Sequence, residues 1–596
     1  SDIYWQYTTD LGFNASAFAT GFYNPFNPEG ATYNMGTTYN YRVNTKFKSF
    51  VGIPCPKGLE VSDITTNSAN LSWTARGNET GWNVRYRVSG DENAWTEVTG
   101  LNANATIYSI TSLQENTTYE VQLSSTLGEE VSNWTASLTF HTYSGVTISD
   151  LETFVTFRNG INSGASFRLS DMTIPAGGEN VMFILGDNLD LSSVCGPDVN
   201  GGTSWTPIGN SSSIPFKGAF DGNGKTISGL YINNISEDNR GLFGFVTNGF
   251  VRNLTLEGSI DANYYTGSVC ARLTNGTISG CCNKVQIITT GSNTYIGGIC
   301  SWAENSTITN CVNEGALDGW YVGGICYYNN GTISNCCNKA DISTKYRGAG
   351  ICDQNYTGSE ISYCYNTGNI SSSATGSVIL DGIIYKNDGA VSQCFNLGDL
   401  SATQSNSSNS ALCGLSDVNY GSITNCYNMG SIAGYVVYGG VRNIGSSSIT
   451  TNCYSAGALL GRTNVGFSNS SHGTRTNCYF DNQMGVAGSN EVGQGLTTSD
   501  MVSGSLFNDA TNWVETEGLY PYLAGFGDDD LVLVKAMPIY LAEGDSPNHV
   551  TQDFTLGQYD GVTCDEQFFF QPTTLQRYAR GLHGYTNPNN RMIYTW

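Results

Sequence analysis

The stretch VGGICYYNNGTISNCCNK, residues 322–339, decides how the rest of this chain is read. It returns along the sequence as TGSVCARLTNGTISGCCNK (266–284), IGGICSWAENSTITNCVNE (296–314) and GAGICDQNYTGSEISYCYNT (348–367). Weaker copies follow in GAVSQCFNL (389–397), GSITNCYNM (421–429), SITTNCYSA (448–456) and GTRTNCYFD (473–481). One cysteine holds the same place in every copy: Cys281, Cys311, Cys336, Cys364, Cys394, Cys426, Cys453 and Cys478, spaced 25 to 32 residues apart. A second slot holds Cys270, Cys300, Cys326, Cys352 and Cys413.

A period of this length marks stacked supersecondary units. Each unit carries two or three short β-like runs between Gly/Asn turns, and none has a helix-period stripe. The spacing predicts a parallel β-solenoid whose coils hydrogen-bond to one another and bury their apolar slots. Some ten coils at about 4.8 Å each give a rod on the order of 50 Å long. The cysteine columns read as small buried side chains packing coil on coil. Neighbouring slots lie within disulfide reach, but parallel Cβ vectors make bridges awkward, so cross-core disulfides stay as the alternative. The asparagine after the cysteine (Asn283, Asn313, Asn338, Asn366, Asn396, Asn428) predicts a side-chain amide ladder at a turn.

The flanks differ. Residues 1–53 are rich in aromatics, Asn and Gly and predict no particular fold. Residues 54–143 hold short period-two runs: LEVSDIT (59–65), NLSWT (70–74), GWNVRYRV (81–88) and LQENTTYEVQL (113–123). Trp82, Val84, Tyr86 and Val88 are expected on one face. The segment resembles a fibronectin type III domain, with Trp73 at the family's core tryptophan and Tyr119 at its corner tyrosine. SDLETFVTF (149–157) predicts a short helix over 149–160 that covers the first coil. Ser149 and Glu152 stand at capping-box spacing, Leu151, Phe154 and Val155 form the stripe, and Gly160 ends it. After residue 480, LTTSDMVSGSLF (496–507) and GLYPYLAGF (518–526) read as a cap on the last coil's open edge. Residues 527–596 read as a C-terminal β segment, for which an Ig-like sandwich is one option. The fold class expected is therefore all-β: a sandwich at 54–143, a capped parallel β-solenoid (β-helix) over 144–526, and the two terminal segments.

The repeats, with GLFGFV (241–246), YVGGIC (321–326) and NCYNMG (425–430), resemble the GLUG-repeat family of bacterial surface proteins. FKGAFDGNGKTISGLYI (216–232) and WTPIG (205–209) match the family's opening hallmark, and LYPYLAGF (519–526) its close. The combination resembles Bacteroidetes-type surface adhesins. At Ile384 and Arg442 the first cysteine of the motif is lost, which puts an obligatory role for it in doubt.

The run GAFDGNGKT (218–226) also invites a phosphate-loop reading. That loop needs glycine five positions before Gly224, where Ala219 stands, and a βαβ setting. Gly222-Asn223-Gly224 reads as a tight turn between two strands, with Phe220 and Ile227 pointing inward.

Composition narrows the chemistry further. The 596 residues carry a formal net charge of −24, with 26 Lys plus Arg, so nucleic acid is excluded as a partner. No run approaches the roughly 20 apolar residues of a membrane span. The chain begins at Ser1 and reads as a processed secreted chain or a fragment. Sequons at Asn14, Asn78, Asn104, Asn253, Asn275, Asn305, Asn330 and Asn355 fit a glycoprotein. His141, His472, His549 and His583 are scattered, GDSPN (544–548) lacks a nucleophile elbow, and GDDD (527–530) reads as an acidic linker. Glu314, Asp318, Asp341 and Asp399 are too dispersed for a catalytic carboxylate pair. No metal or organic cofactor is expected. Trp320, Tyr321, Tyr327 and Tyr328 are the candidate contacts for glycan or partner, expected to be exposed. The expected function is a non-enzymatic extracellular, cell-surface adhesin or stalk. Its partners are glycans or proteins of host or neighbouring cells, or copies of itself. The alternatives are a subunit of an extracellular filament or sheath and a surface enzyme that degrades glycans or proteins.

Overall fold

A computed structural model describes residues 56–526 except 93–94, 235–236, 403–409 and 485–492. The expectations for residues 1–53 and 527–596 lie outside the described residues. The chain divides into two compact units, the first ending at Thr142 and the second starting at Tyr143.

The first unit is a sandwich of two antiparallel sheets. One contains β1 (Lys57–Ser62), β2 (Ala69–Thr74) and β5 (Ile107–Ile110). The other runs β4 (Thr96–Asn102), β3 (Gly81–Val88), β6 (Thr118–Leu127) and β7 (Glu130–Val131), with β8 (Leu138–His141) also on β6. Trp73 and Trp82 meet in the core with ring centroids 5.6 Å apart. Tyr119 is buried, and its hydroxyl accepts the Gln114 backbone N–H at 2.8 Å, which pins the corner before β6. One expectation fails along β3. Trp82 and Val84 are buried, Tyr86 is half-buried and Val88 is 38 % exposed, because the strand's end runs out past the core.

The second unit is a parallel β-solenoid of about 9 turns. Its first strand, β9 (Ser144–Ile148), pairs in parallel with Val181–Leu185, which pairs with Ala219–Asn234. Each later coil pairs in parallel with the next; Ile278, Ile308, Ile333, Ile361, Val391 and Ile423 stand in one such register column. All six are buried in the single apolar core that fills the coils. Stacking repeats in this way gives the backbone amides of the strands partners in the coil above or below.

The recurring cysteines are part of that core. The eight of the first slot are buried, and none of those eight is in a disulfide. Their thiols donate to the carbonyl two residues earlier, as in Cys336 to Ser334 at 3.2 Å and Cys394 to Ser392 at 3.1 Å. Burial holds the Cys336 and Cys394 thiols well above their ordinary range. The residue before each of these cysteines turns a corner in the left-handed region. Gly280, Asn310, Asn335, Tyr363, Gln393, Asn425, Asn452 and Asn477 have φ between 46° and 59°. Asparagine predominates there because it tolerates that region better than other residues with a Cβ.

The second slot needs one correction. The column runs Cys270, Cys300, Cys326, Cys352, Ile384, Ser416, Val441. Cys413 belongs to a different column, between Asp381 and Tyr438, and Val441 rather than Arg442 takes the slot. The deciding feature is the glycine at each bend: Gly382, Gly414 and Gly439 follow one another, and the slot lies two residues further on.

The amide ladder is continuous. Asn283, Asn313, Asn338, Asn366 and Asn396 each donate Nδ2 to the next asparagine's Oδ1 at 2.6–2.7 Å, ending at Asn428. All six are fully buried. A second ladder, not expected from the sequence, runs from Asn329 through Asn355 and Asn387 to Asn419. Asn355 is therefore buried and is no glycan acceptor. Asn366→Ala removes bonds to Asn338, Asn396 and the Gly368 carbonyl. We expect a loss of about 2 kcal/mol; a denaturant midpoint within error of wild type would contradict the ladder's role.

At the solenoid's start, α1 spans Leu151–Asn162. Asp150, not Ser149, is its N-cap, accepting the Thr153 N–H at 2.7 Å. Gly160 lies inside the helix, where Phe167 packs so closely that a Cβ would stand 2.2 Å from its ring. The buried face is Phe154, Phe157, Gly160 and Ile161, while Leu151 and Val155 stay half-buried.

At the far end, Gln494–Leu496 pairs with Tyr479–Asp481 and covers that part of the last strand. The expected end cap is otherwise a strap along one side. Residues 497–526 run back over a ladder of rings, Tyr365, Phe395, Tyr427 and Tyr454, whose centroids are 5.0 Å apart and tilted by 3–5°. Phe526 reaches Tyr365 and Phe395. Trp513 packs against Tyr427 and Tyr454, and the Tyr454 hydroxyl donates to the Pro521 carbonyl at 2.6 Å. The Tyr520 hydroxyl donates to buried Asp481 at 2.5 Å. Tyr520→Phe is expected to cost about 1.5 kcal/mol and to show first as faster proteolysis within 497–526. Cleavage at the wild-type rate would argue against the strap's anchor.

Candidate functional site

The GAFDGNGKT run makes no phosphate cradle. Ala219–Asn234 is one continuous strand, with a register shift between Asp221 and Lys225, rather than two strands joined by a turn. Asn223 and Gly224 take φ of 50° and 70° in this bulge. No helix follows it, and Phe220 and Ile227 are buried as expected.

Polar chemistry gathers elsewhere, at the sharp bend around the glycines Gly298, Gly324, Gly350, Gly382, Gly414 and Gly439 of successive coils. One column there is Gly267, Gly297, Gly323, Ala349, Asp381, Cys413 and Tyr438. The bend is tight enough that a Cβ on Gly297 would stand 1.8 Å from the Cys300 carbonyl oxygen. Four residues later the chain faces back across the bend. There the residues just after the slot, Ser301, Tyr327, Asp353, Tyr385, Asp417 and Arg442, succeed one another up the coils. Ser301 donates across it to the Tyr295 carbonyl at 2.7 Å.

Aromatic rings wall the early coils. Tyr265, Tyr295 and Tyr321 stack at 5.1 Å, and Trp302 lies 3.5 Å from Tyr328 at a 6° tilt. Tyr356 stacks on Tyr328 at 4.3 Å. Arg272 sits 4.0 Å over Tyr265 and 5.0 Å over Trp302, and Arg347 sits 4.5 Å over Tyr321. Ring faces are thus taken up by other rings and guanidinium groups. Of the four expected exposed aromatics, Trp320, Tyr321 and Tyr328 are half-buried. Tyr327 is buried at 7 % exposure: the small Gly297 and Gly323 opposite let its ring fall into the bend beside Tyr295. Its hydroxyl accepts from Gln354 Nε2 at 3.0 Å, and burial raises its pKa strongly.

Charge fills the later coils. Arg347 Nη2 donates to Asp353 Oδ2 at 3.0 Å, and Arg442 Nη2 to Asp417 Oδ2 at 2.8 Å. Burial pushes Asp353 up to about 6, only partly offset by Arg347. Burial also raises Asp417, against the pull of Arg442. Asp381 is fully buried, and neither carboxylate oxygen has a well-formed hydrogen bond. Burial, then the Asp417 charge, holds it well above the usual carboxylate range.

The acids singled out in the sequence do not join this group. Asp341 accepts the Asn369 N–H and Asp399 the Ser431 N–H, so they tie coil to coil. Glu314 is exposed, and burial raises half-buried Asp318. Among the described residues, no three His, Cys, Asp or Glu side chains converge as metal ligands. Aligning the repeats on the residue after the second slot finds Asp353, Tyr385, Asp417 and Arg442; Asp381 has no repeating signal, because glycine or alanine precedes it in that column.

Comparison with known proteins supports the two-part architecture in part. Residues 54–141 match the family model for the fibronectin type III domain. A two-domain fibronectin type III segment of chicken tenascin is 30 % identical, covering 15 % of this chain and 51 % of that one, with a TM-score of 0.14. A redesigned β-sandwich protein is also 30 % identical, covering 15 % of this chain and 92 % of its own, with a TM-score of 0.14. A protein named as a Gly-rich membrane protein, from Evansella cellulosilytica, is 42 % identical over 82 residues, 14 % of this chain. Halomucin of Haloquadratum walsbyi is 30 % identical over 129 residues, 21 % of this chain. The chain spans 9 % and 1 % of the lengths of these two relatives. No helix among the described residues is long and apolar enough to cross a membrane. The chain carries a fibronectin type III domain, matched over residues 54–141, ahead of a parallel β-solenoid of about 9 turns.

Proposed function

We propose that this chain is a non-enzymatic structural and adhesive part of an extracellular, cell-surface protein. The observation that carries the reading is the run of unbroken ladders. Asparagine amides, stacked rings and parallel strands each tie one coil to the next over many coils. A body built this way resists bending and offers a long side surface, which suits reach and attachment. The type III domain, the names of the Evansella and Halomucin relatives, and the resemblance to GLUG-repeat adhesins support the same reading. The partners we envisage are glycans or proteins of a host or neighbouring cell, or copies of this chain. They would meet Tyr321 and Tyr328, with Trp320 beside them.

The test is labelling of intact cells with a membrane-impermeant amine reagent, followed by negative-stain imaging of the native protein. Surface labelling and single short rods are expected. Protein labelled only after lysis would overturn the proposal. Long regular fibres would favour a second reading, a filament subunit. One observation favours that reading: among the described residues, only Tyr479–Asp481 of the last strand is paired on its outer side, and a cleft of about 560 Å³ runs beside Thr474 and Cys478. Release of reducing sugars or peptides from surface polymers would instead support the surface-enzyme alternative.

A further inference from the structure

The bend in the coils from Arg347 to Arg442 holds three buried carboxyl groups and two guanidinium groups. Arg347 pairs with Asp353 and Arg442 with Asp417, so two opposite charges are matched twice and Asp381 is left over. It is fully buried, with Ala349 in the coil before it and Cys413 in the coil after it. The groups that face it are Asp353 from the preceding coil, Cys413 and Asp417 from the following one, and Arg442 from the coil beyond. The Asp417 backbone amide approaches its carboxylate. Tyr385 and Tyr438 stand near Asp417 in the same group. An ionised carboxylate in this place has no counter-ion of its own, whereas a neutral one has little to lose.

We propose that Asp381 is a proton-dependent latch on the coil stack: with its proton it lets coils 348–355, 379–387 and 411–419 pack together, and giving that proton to solvent loosens them. The sign follows from linkage. A carboxyl held higher in the folded chain than its unfolded value near 3.8 contributes its stability fully below that value. The contribution is lost as pH rises through the folded-state value. Asp353 acts in the same sense over the window from 3.8 to about 6, and Asp381, raised well above 3.8, adds to it in the same direction. The aromatic coils 296–334 have no such acid at their bend, so they serve as an internal reference.

The experiment is amide hydrogen exchange of the full chain between about pH 5 and pH 9, with each coil's protection divided by that of residues 300–309 to cancel the intrinsic rate. Residues 379–387 and 411–419 should lose protection about tenfold or more relative to the reference as pH rises. Asp381→Asn, neutral at every pH and of the same shape, should abolish the relative change above about pH 6 and melt higher than wild type at neutral pH. A flat ratio in the wild type, or an unchanged pH dependence in Asp381→Asn, would overturn the proposal. If the variant fails to fold, the wild-type ratio alone decides.

Discussion

Gly382→Val is expected to prevent stable assembly of the central coils. A Cβ at this position would stand 2.1 Å from the Gly414 carbonyl oxygen and 2.7 Å from the Asn396 side chain. Neither can give way. The carbonyl belongs to the backbone of the next coil, and Asn396 is held by Asn366 and by the Gly398 carbonyl. The same contact recurs up the stack, because a Cβ on Gly350, Gly414 or Gly439 would come within 2.0–2.1 Å of the next coil's glycine carbonyl. Two coils would have to part, breaking both the amide ladder and the strand pairing. We expect a loss on the order of 5 kcal/mol, at the upper end for a single substitution. Chemical denaturation followed by circular dichroism measures it. A variant with a wild-type midpoint would show that the coils do not approach each other here.

Cys311→Arg is expected to be nearly as harmful, for a different reason. Cys311 is fully buried between Cys281 and Cys336 in the column, with its thiol 3.2 Å from the Thr309 carbonyl. The core around it is built of apolar side chains such as Ile278, Ile308 and Ile333. An uncompensated charge there costs on the order of 4 kcal/mol. Cys311→Ala sharpens the interpretation. If the column only packs, removing one thiol costs about 1 kcal/mol. A much larger loss, reversed in reducing buffer, would point to a bridge across the core. Thermal melts of both variants, with and without reductant, distinguish the two cases.

These two residues also show what the sequence makes legible. Cys311 is readable because the same side chain recurs at the same place, and a recurring small apolar residue between polar neighbours means an inward slot. The asparagine ladder is readable for the same reason, since Asn283 to Asn428 repeat without exception. Asp381 is not readable, because its column changes from glycine to alanine to aspartate to cysteine. Tyr327 misleads because two adjacent tyrosines look alike in sequence, yet one falls into the bend and the other stacks outside. The placing of Cys413 fails because a cysteine three residues early was matched by type instead of by its distance from the glycine. The strap is partly readable. Its aromatic residues announce burial, but only the exposed side of the ring ladder from Tyr365 to Tyr454 says where they go. At the first helix, Ser149 and Asp150 can both cap, and the choice depends on which carboxylate or hydroxyl faces Thr153.

The central claim is that residues 144–481 rise as parallel coils with their asparagines stacked inside. A crystal structure of the full chain tests it most directly. It should show Asn283, Asn313, Asn338, Asn366, Asn396 and Asn428 on one line, each amide bonded to the next, beside a column of eight unbridged cysteines. Antiparallel pairing of neighbouring repeats, or those asparagines pointing into solvent, would contradict it.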